Sequence, residues 1–564
     1  MRDAINVETI DEETETEEAA ATNTVGRIAA PNRFEATSSE FYFWIKRGKT
    51  LEENQIVFSE SNINGEEIKF YALIDEIKRT SRRADMNEEY DIGDGDVNYE
   101  PPFENEGFSY AHAQVLRTKP EISTPPIERS IVSLGGEEEA KIAYGFDDDD
   151  NGKRRWMPVG LLKNGRNFAG LGKIDLDYLL GENGGHLNVN GIAGVGTKTS
   201  FLLTVIKMLQ AEADQSGNFF IAPIVFNVKG EDLMWLDREN SRCTDADKEE
   251  WKLLGVEPKP FENAQFFQPV GKPVSDCNAS NYSWSFHDVL RGESLLYIFS
   301  DEDQLNANME GLVRELIDRF TDKKDGKTPN GDAPKTWDEL LQWFKNEANI
   351  INIYKSSWWA VYRRLSRVLE EGKDIFVRDK NNGEPLNVIS ETTSPPKVID
   401  INSLAPSMQR FVVGTVLQQV VSARKSAKAV RNLCYVLMLD ELNRFAPRGA
   451  KDEITRLLER VATEMRSQGV ILLGAQQMAS QVSTKVIEMS SIRVLGRTGA
   501  AELTDKIWSF FSSEIREKAR NLQASEKFVM QPTFRHPMLV KMPLNPWADK
   551  FDKVKVKDFG DKDI

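Results

Sequence analysis

Near its start the chain sets short runs of apolar residues between turn residues, and further on it changes to a rhythm of strand-like runs and long helical patterns. Ser39–Ile45, Gln55–Ser61, Ile68–Ile77 and Phe108–Leu116 are rich in Phe, Tyr, Val and Ile, and turns such as Asn62-Ile63-Asn64-Gly65 separate them. That series predicts a small β-barrel over residues 26–135. Lys119-Pro120 to Pro125-Pro126 reads as an extended linker. After residue 140, buried-type strands at His186–Gly191, Ile221–Val228, Lys397–Ile401, Cys434–Asp440, Gly469–Ala475 and Ile492–Gly496 alternate with helical patterns such as Ser200–Ala213. Alternation of that kind predicts a parallel α/β sheet. A mostly helical stretch at 285–375, with Leu305–Phe320, Trp337–Asn346 and Trp358–Glu371, interrupts it. The core is therefore expected in two parts, 136–284 and 376–545, with the helical insertion between them. Residues 1–25 carry Glu8, Asp11, Glu12, Glu13, Glu15, Glu17 and Glu18, cannot bury much apolar area, and read as a disordered acidic tail. Residues 546–564 read as a C-terminal tail.

Composition narrows the class only slightly. At 564 residues the chain exceeds what one core usually serves. No run approaches the roughly 18 apolar residues of a membrane span, and the acidic start argues against an export signal, so a cytoplasmic protein with no membrane partner is expected. Cys243, Cys277 and Cys434 are far apart and the four histidines are scattered, which gives no zinc framework. The 72 basic and 89 acidic side chains leave a net charge of −17. That balance argues against a simple DNA-coating protein, but not against one that grips DNA inside a locally basic pore.

Two segments carry chemistry. In the first, the strand from His186 runs into Gly191-Ile192-Ala193-Gly194-Val195-Gly196-Thr197-Lys198-Thr199-Ser200 and then a helix. A glycine-rich loop entering a helix N-terminus can turn backbone N–H groups toward phosphates, while a lysine reaches the outer phosphates and a hydroxyl holds magnesium. The usual spacing places the lysine directly after the second glycine, whereas here Thr197 intervenes. Either Lys198 reaches the phosphates from a loop one residue longer, with Thr199 as the magnesium hydroxyl, or Thr197 occupies the lysine slot. A ligand-free strand-to-helix turn is the bland alternative. In the second segment, the apolar run Leu433–Leu439 ends in Asp440 and Glu441. An aspartate there can hold magnesium and the next glutamate can polarise an attacking water; the alternative is a solvated strand end.

These segments and their surroundings resemble the HerA/FtsK branch of P-loop ATPases. The resemblance is carried by Asp440-Glu441 followed by Arg444-Phe445-Ala446-Pro447, then Arg466-Ser467-Gln468-Gly469 and the strand ending in Gln476. Asn227-Val228-Lys229-Gly230-Glu231 is similar to an element after the second strand of HerA proteins, although Asn227 stands where many relatives have aspartate. Val398–Asn402 and Ser491–Arg497 resemble two further strands, and the N-terminal strands resemble the HAS barrel. The resemblance implies a RecA-like P-loop core after a small HAS-like barrel, with ATP and Mg2+ as cofactors. It makes Gly191, Gly194, Gly196, Thr197, Lys198, Thr199 and Ser200 nucleotide-binding, and Thr199 and Asp440 metal-binding. It also makes Glu441 the catalytic carboxylate, Gln476 a sensor of the γ-phosphate region and Arg466 a finger for the neighbouring subunit's site, with Arg497 as second candidate. It further implies a homo-hexameric ring acting on DNA with an effector such as a nuclease or a sirtuin-type NAD-consuming enzyme, in the manner of antiphage systems. The rival is an ATP-binding scaffold ring that regulates its effector without translocating DNA. Trp358 and Trp359 beside Arg363, Arg364 and Arg367 could contact nucleic acid, but an amphipathic helix with inward tryptophans is the preferred reading. Arg424, Lys425, Lys428 and Arg431 likewise read as a solvated face.

Overall fold

The computed structural model describes residues 23–31, 34–81, 86–99, 107–147, 155–192, 198–272, 278–299, 307–346, 355–426 and 429–548. Two compact units result. The first comprises the chain up to Trp156 with Gly160–Lys173 and Pro532–Lys541; the second comprises Met157–Val159, Ile174–Gln531 and the chain from Met542.

In the first unit β1 (Thr24–Ile28), β2 (Glu40–Ile45), β3 (Ile56–Ile63), β4 (Glu66–Thr80), β5 (Phe108–Lys119) and β6 (Ile131–Leu134) form a closed barrel in the order β1-β2-β5-β4-β3-β6. Alternation along each strand sends Phe41, Phe43, Val57, Phe70, Ile74, Ala113 and Val132 into one core, while Trp44, one place from Phe43, is 40% exposed. The β3–β4 hairpin pairs Ile63 with Glu66 across Asn64 and Gly65, both at positive φ. Asn-Gly is the dipeptide that adopts this turn most cheaply. The unit also holds most of β7 (Trp156–Asn164) and β8 (Asn167–Asp175) and all of β18 (Met538–Lys541), in the order β18-β7-β8.

Two expectations at the edges of the barrel change. Thr24 and Val25, read as part of the acidic tail, already belong to β1, where Thr24 lies opposite Ser133 of β6; residues 1–22 lie outside the described residues. The proline-rich segment 119–126 is not an interdomain linker. It connects β5 to β6 within the barrel, with Pro126 buried, Ile122 packed on the core, and Thr118 Oγ1 bonded to Ile122 N and O at 3.1 Å each. Prolines keep this segment out of the ladder, but they do not detach it.

In the second unit β9 (Leu187–Asn190), β10 (Phe220–Asn227), β11 (Gln265–Pro269), β12 (Ala279–Tyr282), β13 (Lys397–Asp400), β14 (Leu433–Leu439), β15 (Val470–Gln476) and β16 (Ile492–Leu495) are mutually parallel, in the order β12-β11-β13-β10-β14-β15-β9-β16. Antiparallel β17 (Glu526–Met530) pairs with β16. Strands covered on both faces must be apolar throughout, and β14 reads Leu-Cys-Tyr-Val-Leu-Met-Leu accordingly. Helices Lys198–Ser216, Pro406–Lys425 and Glu453–Glu464 belong to this core. The expected fold class, an α/β core with a helical insertion after a small barrel, is the one observed. The sequence pattern missed β11, β12, β17 and the β7, β8 and β18 ribbon; β12 is only Ala-Ser-Asn-Tyr and carries no hydrophobic signature.

The insertion between β12 and β13 holds helices Phe286–Arg291, Ala307–Phe320, Trp337–Lys345 and Lys355–Glu371. Trp358 is fully buried, packs with its ring centroid 4.9 Å from that of Phe344 at a tilt, and donates its indole N–H to Phe344 O at 3.0 Å. Arg363 and Arg367 face solvent on the same helix. The aromatic-basic pattern is thus an amphipathic helix packing its tryptophan inward.

On the barrel's outer face His112 sits between two carboxylates, with Nδ1 2.7 Å from Asp75 Oδ1 and Nε2 3.2 Å from Glu40 Oε2. Burial disfavours its charged form, but the Asp75 hydrogen bond and the Asp75 and Glu40 charges outweigh it and raise its pKa above the ordinary 6.5. A raised folded-state pKa adds stability that is complete below pH 6.5 and lost as pH rises through the folded value. His112→Gln should therefore weaken hydrogen-exchange protection of the β2 and β5 amides at pH 6. At pH 9, after correction for intrinsic exchange, the same variant should match the parent.

Candidate functional site

Parallel strands collect their chemistry beyond their carboxyl ends, where connecting loops diverge. Here that edge brings together the ends of β9, β10, β13, β14, β15 and β16. The strand leading to the glycine-rich loop, β9, is separated from the acidic strand β14 by β15 alone. Gly191 is buried at the end of β9, with its N–H on Gln476 O at 3.2 Å, and Ile192 N donates to Arg497 O at 2.8 Å. Residues 193–197, including Gly194, Gly196 and Thr197, lie outside the described residues.

The helix begins at Lys198, which is only 3% exposed. Burial pulls the Lys198 ammonium below its ordinary range, while the carboxylates of Asp440 and Glu441 pull it back up. Thr199 Oγ1 donates to Asp440 Oδ2 at 2.8 Å. Ser200 Oγ accepts a 2.8 Å hydrogen bond from Asn545 Nδ2. The two central predictions, Lys198 and Thr199 from one segment and Asp440 and Glu441 from another, converge in space.

Glu441 adopts φ 54° and ψ 48°, a left-handed conformation that costs a side-chain-bearing residue roughly 1–2 kcal/mol. The chain turns sharply out of β14 there, and the Glu441 N–H returns to Asp440 Oδ1 at 2.8 Å. Its side chain is buried, with Oε1 accepting from Lys229 Nζ at 2.5 Å and from Gln477 Nε2 at 2.9 Å. The following residues are a brace: Phe445 and Ala446 are buried, the Arg444 carbonyl accepts from Arg410, and Arg410 pairs with Asp452 at 2.5 Å. Backbone strain at an acidic strand end, held by a braced segment, is typical of functional sites.

Gln476 and Arg424 are placed differently from their sequence readings. Gln476 does not face the carboxylates. It is fully buried in a reciprocal amide pair, donating to Asn188 Oδ1 at 2.6 Å and accepting from Asn188 Nδ2 at 3.0 Å. Gln477, the first residue beyond β15, reaches Glu441 instead. Arg466 lies outside the helix Glu453–Glu464, in a short turn before β15. It packs against Gly185 ahead of β9 and so lies at the amino edge of the sheet, across the length of β14 from Glu441. The seven residues of β14 separate the two edges, a span of about 20 Å. Arg497 is exposed on the carboxyl edge itself, beside the start of the loop. Arg424 departs from a solvated face, since it donates to the carbonyls of Gln468 and Val430. Lys428 lies outside the described residues. Among the described residues no cluster of three or more His, Cys, Asp or Glu side chains could hold a metal, and no helix is long and apolar enough to cross a membrane.

A polar network missed in the sequence adjoins the site. Asp400, fully buried at the end of β13, accepts from Asn227 Nδ2 at 2.8 Å and from Lys272 Nζ at 2.6 Å. Asn402 Oδ1 accepts from Gly230 N at 2.9 Å, and Asn227 Nδ2 also reaches Gly230 O at 3.0 Å. This explains the asparagine at 227, since an aspartate there would face Asp400 as a second fully buried carboxylate. Only the polarity of Asn227 was legible; its partner lies 173 residues away.

Asn227→Asp should lower the unfolding free energy by about 3 kcal/mol at pH 8, the scale of an uncompensated buried charge. The new carboxyl's folded-state pKa would be raised, so its destabilisation should shrink as pH falls toward 5. Urea midpoints at the two pH values check both the size and the sign.

No protein-family model matches the sequence, and no curated protein matches it. Several solved structures are similar at low identity. VirB4 of Thermoanaerobacter pseudethanolicus is 15% identical with a TM-score of 0.42, over 70% of this chain and 97% of that one. The plasmid coupling protein TrwB in complex with ADP and Mg2+ is 15% identical with a TM-score of 0.40, over 65% of this chain and 87% of that one. The genome packaging NTPase B204 from Sulfolobus turreted icosahedral virus 2, in complex with ATP-gammaS, is 16% identical with a TM-score of 0.21, over 26% and 68% of the respective chains.

Proposed function

We propose that this chain is an ATP-binding and ATP-hydrolysing subunit of a ring, working as a DNA translocase with an effector nuclease or NAD-consuming enzyme in antiphage defence. The observation that carries the nucleotide reading is the convergence of Lys198, Thr199, Asp440 and Glu441 at the carboxyl edge of the sheet. A hydroxyl and a carboxylate 2.8 Å apart are the hard oxygen donors that magnesium takes alongside phosphate oxygens and water. Thr199 and Asp440 would hold the ion, which when bound neutralises phosphate charge during transfer. Lys198 would contact the outer phosphates, and Glu441 would orient the attacking water. The register in which Lys198 is the phosphate lysine gains support from its burial beside both carboxylates.

The ring reading rests on Arg466. An exposed arginine about 20 Å from Glu441 cannot serve the site of its own chain, whereas a neighbour could present it there. The barrel, which has neither a phosphate loop nor the acidic pair, would dock the effector. The net charge of −17 favours a second reading, an ATP-binding scaffold ring that regulates its effector without moving DNA. ATP hydrolysis accelerated by DNA supports translocation; hydrolysis indifferent to DNA favours the scaffold.

Lys198→Ala should weaken ATP binding, measured calorimetrically, by about tenfold or more (~1.4 kcal/mol), and Thr197→Ala by far less. The reverse order would assign the lysine slot to Thr197. Glu441→Gln and Arg466→Ala proteins should each assemble and bind ATP yet hydrolyse it poorly, with Arg466→Ala slowed about 10³-fold. Mixing the two should recover hydrolysis at interfaces that pair two intact residues. Parental hydrolysis by Arg466→Ala rings would remove Arg466 from the site and make Arg497 the residue to test.

A further inference from the structure

We propose that Lys229 is a positioning residue for Glu441, holding one carboxylate oxygen so that the other is presented to the reacting water. The inference deepens the ATPase reading and rests on Glu441 being its water-orienting carboxylate. Lys229 Nζ lies 2.5 Å from Glu441 Oε1, and Gln477 Nε2 approaches the same oxygen at 2.9 Å. Among the described residues no donor is seen on Oε2. Two donors on one oxygen fix the plane of the carboxylate, and such orientation matters because misplacing a reacting group by about 1 Å can cost about a hundredfold in rate.

The element that carries Lys229 is built to hold it there. Lys229 follows β10 on a turn where Gly230 takes φ +58°, a conformation open to glycine at little cost. Gly230 is tied through both its N–H and its carbonyl. Gly230 N donates to Asn402 Oδ1, Gly230 O accepts from Asn227 Nδ2, and Asn227 is itself bound to Asp400, which Lys272 neutralises. The ammonium thus reaches Glu441 from a fixed backbone. Lys229 remains 43% exposed along its side chain, so its replacement leaves the core intact. Glu441 needs such a restraint, because its left-handed backbone lifts the side chain out of the strand alternation that orients its neighbours. Lys198 and Asp440 are the other charged groups beside it.

The test is steady-state ATP hydrolysis by the full chain carrying Lys229→Met, Lys229→Gln or Lys229→Arg. The methionine and glutamine variants should lose about tenfold or more in kcat while KM for ATP stays within about twofold, and Lys229→Arg should restore much of the loss. An unchanged or raised kcat overturns the proposal, and so does a raised KM with kcat intact, which would make Lys229 a nucleotide contact. A crystal structure of Lys229→Met reports on Glu441 without needing turnover. A rotated carboxylate supports positioning, and a carboxylate unmoved on Gln477 overturns it. A parent that does not hydrolyse ATP sinks the ATPase reading, and the position of Glu441 in that crystal still decides the role of Lys229.

Discussion

Two adjacent carboxylates stand where an apolar strand runs out, and most of what surrounds them makes that arrangement tolerable. Asp440 is met by the Thr199 hydroxyl and the Glu441 N–H. Glu441 is met by Lys229 and Gln477, and Lys198 is buried within reach of both charges. Desolvating a carboxylate is expensive unless hydrogen bonds or an opposite charge offset it. The sheet therefore has to deliver partners from β9, β10 and β15 to the end of β14. The parallel order does so, because every one of these strands releases its loop at the same edge.

The other edge of the sheet is organised differently. His186, at the amino end of β9, is fully buried and accepts from Leu472 N at 2.9 Å, which leaves Nε2 to donate to the Ala462 carbonyl at 3.0 Å. Burial drives its pKa down to about 4, so it is a neutral strut between two strands and a helix. Arg466 lies close by, exposed and far from the carboxylates. One edge of the sheet gathers charges together, and the other closes the strands with neutral groups and leaves an arginine outward.

Toward the carboxyl ends of the strands the fold uses amide side chains as rivets. Asn188 with Gln476 and Asn227 with Asp400 join neighbouring strands, and Asn190 with Thr498 joins β9 to the chain after β16, all through buried, directional bonds. Such pairs are costly when half-made and specific when complete. They fix the register at the strand ends, where the site residues must be placed.

How much of this was legible in the sequence follows from the range of the forces involved. Alternation over a few residues identified β2 to β5, and runs of apolar residues identified β9, β10 and β13 to β16, because burial of a face or of a whole strand is written locally. The glycine-rich loop before Lys198 and the Asp440-Glu441 pair were legible for the same reason, each being contiguous. The barrel's last strand, β6, is only Ile-Val-Ser-Leu, and the strap before it looked like a linker, because closure is a long-range pairing that no window contains. The choice between Gln476 and Gln477 depended on which of two adjacent residues met Glu441, and a one-residue difference in direction is decided by the sheet. The partners of Glu441 lie 212 residues before it and 36 residues after it, at Lys229 and Gln477, and that of Asn227 lies 173 residues on. Composition marked those side chains as polar and no more. The local chain determined which elements form and which residues could do chemistry; only the tertiary structure decided which of them meet, because contact between distant strands depends on how the sheet orders them.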